Sequence, residues 1–70
     1  MDIQWENGFR INVGIDPEGI VVISANKEGL LSLASQLAAL ANEKPGCHIH
    51  YDEYNSLDDD STELIIEKSV

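Results

Sequence analysis

Apolar and polar residues alternate from the start of the chain. Ile3, Trp5, Phe9, Ile11, Val13 and Ile15 fall at odd positions, with Gln4, Glu6, Arg10, Asn12 and Gly14 between them. A period of two is that of a strand with one buried face. Asn7-Gly8 interrupts the pattern with two residues that take positive φ cheaply, which predicts either a hairpin there or one long kinked strand. Asp16-Pro17-Glu18-Gly19 places Asp, Pro and Gly at the first, second and fourth positions of a type I turn. The following Ile20-Val21-Val22-Ile23 is apolar on both faces, which predicts a central strand.

The period then changes. Asn26 is a suitable N-cap, and Glu28 lies in the first turn, where the helix dipole favours an acid. Leu30, Leu33, Ala34, Leu37, Leu40 and Ala41 recur at helical spacing and predict one apolar stripe facing the core. Gly29 costs about 1 kcal/mol relative to alanine inside a helix, so its presence predicts close approach to the sheet. Pro45-Gly46 predicts the helix stop.

Two further strands, His48 to Tyr54 and Thr62 to Lys68, are predicted to pair across the turn-rich stretch from Asn55 to Ser61. The expected order is β-β-β-α-β-β in a single α+β domain spanning residues 1–70. One helix covers one face of a mainly antiparallel sheet, so the expected architecture is a two-layer sandwich. Its other face must be solvated or covered by another chain.

Size and charge narrow the function. A chain of 70 residues buries only about 60% of the surface exposed when unfolded, leaving little core to support a catalytic cleft. The single Cys47 forms no internal disulfide and points to a reducing cytoplasm. The first residues show no signal peptide, and no apolar run reaches the roughly 20 residues that span a bilayer. A soluble cytoplasmic protein is the expectation. Thirteen acids face four basic residues, for a formal net charge of −9. Such a polyanion repels nucleic-acid phosphates and anionic membrane surfaces. It favours a basic protein partner, because opposite fields raise the association rate.

Candidate chemistry is sparse. His48, His50 and Asp52 alternate along one strand and share a face, with Ile49 and Tyr51 opposite. Two imidazoles and a carboxylate could hold zinc with one position open. The same residues also suit a polar strand face or a protein interface, where histidine charge responds to pH near neutrality. Asp58-Asp59-Asp60 lacks the spacing of a calcium loop and reads as a solvated turn that strengthens the local negative field. Cys47 and His48 point to opposite faces as strand neighbours and do not form a nucleophile–base pair. No phosphate loop, dinucleotide fingerprint or hydrolase motif is present, so no enzyme activity, catalytic residue or cofactor is expected. Of the four aromatics, Trp5 and Phe9 are expected under the helix, and Tyr54 at the acidic loop is the better interface anchor.

The run Asn26-Lys27-Glu28-Gly29-Leu30, then Leu33-Ala34, Leu37 and Leu40-Ala41, is followed by Pro45-Gly46-Cys47-His48-Ile49-His50 and Ser61-Thr62-Glu63-Leu64-Ile65-Ile66. In order and spacing this resembles immunity protein family 32 of bacterial polymorphic toxin systems, over roughly residues 19 to 68. The resemblance implies a small cytosolic protein, encoded beside a toxin, that binds and neutralises it. It carries over no defined contact residues. Cys47 stands where such a sequence would hold a small residue such as serine, so no reactive thiol is implied. The leading expectation is an acidic inhibitor that docks a basic toxin domain through His48, His50, Asp52, Tyr54, Asp58, Asp59 and Asp60. The alternatives are a metal-binding or metal-regulated domain using His48, His50 and Asp52, or a general protein-interaction domain. A homodimer through the uncovered sheet face is a further possible assembly.

Overall fold

The turn at Asp16 forms as its residue types require. In the computed structural model, which describes residues 1–70, the Gly19 N–H donates to the Asp16 carbonyl at 2.9 Å. The Asp16 carboxylate accepts from the N–H groups of Glu18 and Ile20, each at 2.9 Å. Gly19 takes φ +85°, a value that residues with a Cβ adopt only with strain. The turn joins β1 (Ile11–Ile15) to β2 (Val21–Ala25) as an antiparallel hairpin, registered from Ile11 opposite Ala25 to Ile15 opposite Val21. Helix α1 (Lys27–Ala41), β3 (His48–Tyr51) and β4 (Leu64–Glu67) follow. The second hairpin is also antiparallel, with His48 opposite Glu67 and Tyr51 opposite Leu64.

The expected α+β class holds, but the order is β-β-α-β-β. A turn forms at Asn7-Gly8, with the Phe9 N–H donating to the Glu6 carbonyl at 3.2 Å, but only Gly8, at φ +82°, takes the positive φ expected of both residues. The segment before it pairs with no strand. Its backbone is held by the helix instead: Ser32 Oγ accepts from the Glu6 N–H, and Gln36 Nε2 donates to the Gln4 carbonyl, both at 2.8 Å. Alternating residues marked an extended segment here, and its polar groups found side chains in place of a ladder.

The strands form two two-stranded sheets rather than one continuous sheet under the helix. The stretch after Leu57 links them. Asp58 N–H donates to the Ile11 carbonyl at 2.8 Å, Thr62 N–H to the Val13 carbonyl at 2.7 Å, and Val13 N–H to Ser61 Oγ at 3.2 Å. This occupies the second edge of β1, so β1 is central and β2 lies at the edge. The apolar run of β2 is accordingly exposed from Val21 to Ile23, contrary to the expected central position.

Ile11, Val13, Leu40, Ile49, Tyr51 and Leu57 make the core, with Trp5, Phe9, Leu33, Leu64 and Ile66 packed against it. Trp5 stacks on Phe9 at 4.3 Å between ring centres and meets Tyr51 edge-on at 6.2 Å. The helix starts as expected: Asn26 accepts from the Gly29 N–H at 2.8 Å. The same side-chain oxygen accepts from the Arg10 N–H at 2.9 Å, tying helix and β1 together. A Cβ on Gly29 would lie 2.5 Å from the Arg10 carbonyl and 3.1 Å from Ala25 Cβ, which is the close approach its presence predicted.

The buried helix face matches the leucine stripe only in part: Leu40 lies in the core and Leu33 packs against it, but the rest of the stripe does not face inward. Gly29, Ser32, Gln36 and Leu40 are buried, whereas Leu30 is 55% and Leu37 41% exposed. Docking of the N-terminal segment explains the rotation: its backbone must be hydrogen-bonded where it packs, and Ser32 and Gln36 can supply partners that leucine cannot. The helix ends at Ala41, capped by Asn42, before Pro45 is reached. Lys68 Nζ donates to the Ala41 carbonyl at 2.6 Å and supplies the cation that the last helical turn lacks.

Candidate functional site

Inward residues define the outward face. Ile49 and Tyr51 are buried in the core while His48 and His50 are exposed, so the alternation read from the sequence holds along β3. Ile65 pairs with His50 and Glu67 with His48, and paired residues share a face. On the other hairpin, Asn12 and Gly14 alternate with buried Ile11 and Val13 and are paired with Ser24 and Val22. The outward sides of the two hairpins, each in its own sheet, therefore carry Val22, 44% exposed, and Ile65, 56% exposed, beside hydroxyl groups on the first and imidazole and carboxylate groups on the second.

The turn after β3 fixes one edge of the second hairpin's outward side. Asp52 Oδ1 accepts from the N–H groups of Tyr54 and Asn55, at 2.9 and 3.0 Å. Asn55 returns two bonds: its Oδ1 accepts from the Asp52 N–H at 3.2 Å, and its Nδ2 donates to the His50 carbonyl at 3.1 Å. This brace displays Tyr54 in a turn rather than on a strand, with 90% of its surface exposed. The Glu53 carboxylate accepts from the Asp60 N–H at 3.2 Å, bringing the acidic loop beside that turn.

The predicted residues thus fall into separate roles. Asp59 and Asp60 are exposed. Asp58 is engaged within the chain, its carboxylate accepting from Arg10 Nε at 3.1 Å while its backbone joins β1. Within the same loop Leu57 is buried, so the acidic stretch is anchored into the core. His48 Nδ1 lies 3.4 Å from the Gly46 carbonyl.

His50 has different neighbours. Its Nε2 is 3.3 Å from Glu63 Oε2 and 4.0 Å from Asp52 Oδ2, and one ligand atom from each of these three residues lies within 4.8 Å of the others. Of the alternative metal set His48, His50 and Asp52, the geometry brings together His50 and Asp52, with Glu63 rather than His48 as their neighbour. The β3–β4 register held the signal, because one step past Tyr51 opposite Leu64 sets Asp52 opposite Glu63.

Tyr51 contributes from inside. Its hydroxyl donates to Gln36 Oε1 at 2.8 Å, and burial raises its pKa above the ordinary 10.0. With Gln36 also bonded to Gln4, every buried polar side-chain atom has a partner.

The surface offers little to a small molecule. A cleft of about 100 Å³ lies between Gln4–Glu6 and the helix at Leu31, Ser32 and Ser35, below the several hundred Å³ usual for ligand pockets. A wider depression of about 660 Å³ near Met1 and Glu43–His48 lies open to solvent. No helix is long and apolar enough to cross a membrane.

Comparison with curated proteins finds no match, and neither does comparison with solved structures. The family model described as Immunity protein 32 matches residues 20–69. That span holds β2, the helix, the second hairpin and every residue of the braced turn and acidic loop. The chain belongs to the Immunity protein 32 family.

Proposed function

We propose that this chain is a non-enzymatic immunity protein that binds a cognate bacterial toxin in the cytoplasm and blocks it by occupying a basic surface. Family membership over residues 20–69 is the observation that carries this reading. The outward face supports it. Val22 and Ile65 supply apolar contact area, Tyr54 projects as an anchor, and His48, His50 and Asp52 line the face. Asp59 and Asp60 are exposed and, with Asp58, would supply the charge that steers the partner. Apolar centres with polar rims are the composition of a protein interface, and Tyr is enriched among residues that dominate binding energy. A net charge of −9 steers a basic partner and repels nucleic acid, a useful asymmetry if the toxin is a nuclease.

Expressing the toxin encoded beside this protein, with and without the chain, tests the reading. Restored growth together with co-purification of the two proteins is the expected result. Continued killing with no complex would overturn it.

A further inference from the structure

We infer that His50, Asp52 and Glu63 form a site for a zinc-like divalent ion, with a fourth position open to solvent. In tetrahedral coordination at about 2.0–2.1 Å, ligand atoms stand about 3.3–3.4 Å apart. The His50–Glu63 separation is 3.3 Å, the His50–Asp52 separation 4.0 Å, and all three ligand atoms lie within 4.8 Å of one another, so side-chain rotations that draw the two carboxylates together would close the set around one ion.

The surroundings hold one of the ligands in position and fix the backbone of a second. Asp52 Oδ1 is committed to the N–H groups of Tyr54 and Asn55, which leaves the Oδ2 atom turned toward His50. The His50 backbone is held by Asn55 Nδ2. Such outer contacts orient metal ligands before the ion arrives. Glu63 comes from the facing strand's approach, so a bound ion would cross-link the end of β3 to the start of β4. A neutral imidazole with two carboxylates balances a 2+ charge. Imidazole selects for zinc and related transition ions over magnesium and calcium, which prefer oxygen alone.

The inference is independent of toxin binding and is tested on the isolated chain. After treatment with chelator, zinc is titrated by calorimetry and by NMR observation of the imidazole nitrogens. One ion per chain with submillimolar affinity is expected, moving the His50 ring signals and leaving those of His48 in place. Glu63→Gln and Asp52→Asn should each weaken binding roughly tenfold or more. Asp52→Asn keeps the oxygen that braces the turn, so folding is retained. His48→Ala should bind as the unaltered chain does, and excess magnesium should not compete. Absence of saturable binding, or loss of binding in His48→Ala with none in Glu63→Gln, would overturn the assignment.

Discussion

Replacing Gln36 should destabilise the protein far more than replacing its larger apolar neighbour Leu37. Gln36 is 1% exposed and bonds both the Gln4 carbonyl and the Tyr51 hydroxyl at 2.8 Å. Alanine there removes both bonds and leaves two groups in search of partners. Each orphaned buried group costs about 1–3 kcal/mol, and water reaching the Gln4 carbonyl recovers part of that. A net loss of about 2–4 kcal/mol is expected, a large fraction of the roughly 5 kcal/mol that holds a small domain together. In a chain this size that lowers the thermal midpoint by roughly 10–25 °C. Tyr51→Phe removes only the second bond and should cost about 1–2 kcal/mol. Leu37→Ala, at a site 41% exposed, should cost about 1 kcal/mol, since the side chain is only partly buried and alanine favours the helix. Urea titration followed by the fluorescence of Trp5, which packs on Phe9 and Tyr51, gives all three values. A Leu37→Ala cost exceeding that of Gln36→Ala would refute the polar inner face and restore the leucine stripe as the core.

Gly29→Ala should destabilise by about 1–3 kcal/mol despite alanine's helix propensity, because the new Cβ would lie 2.5 Å from the Arg10 carbonyl; a stabilised variant in thermal melts would contradict the close packing. Burial raises the Tyr51 pKa above 10.0, so the folded state favours the neutral phenol. That contribution is complete below pH 10 and is lost as pH rises through the raised value; urea midpoints should fall there in the parent and less steeply in Tyr51→Phe. Replacing Asp59 and Asp60 together with Asn should slow association with the toxin and flatten its salt dependence without lowering the thermal midpoint. An unchanged association rate by stopped flow would remove these two acids from the steering surface.

Features set by neighbours in sequence were legible. The Asp16 turn, the Asn26 cap, the close approach at Gly29 and the alternation of His48, Ile49, His50 and Tyr51 depend on local geometry and appear as read. What failed depends on which distant segment wins a shared surface. A period of two around Trp5 describes extended chain whether its bonds go to a strand or to Ser32 and Gln36. Helical spacing identified the leucines, but the backbone laid across the helix required hydrogen-bonding side chains at the contact. Likewise β2 had the composition of a central strand, yet the acidic loop took the free edge of β1. Buried Leu57 was hidden among acids that drew attention to charge. At the site, His50 and Asp52 were read together, whereas Glu63 needed the strand register to join them.

The proposed toxin-docking surface is the outward side of the two hairpins with the turn at Tyr54. Amide and methyl NMR spectra of the isotopically labelled chain, recorded free and bound to the toxin domain, test it most directly. The largest changes are expected on Val22, His50, Tyr54, Asp59, Asp60 and Ile65, with Leu30, Leu31 and Ala38 on the helix little affected. Changes concentrated on those helix residues, with Tyr54 and Ile65 unmoved, would contradict it.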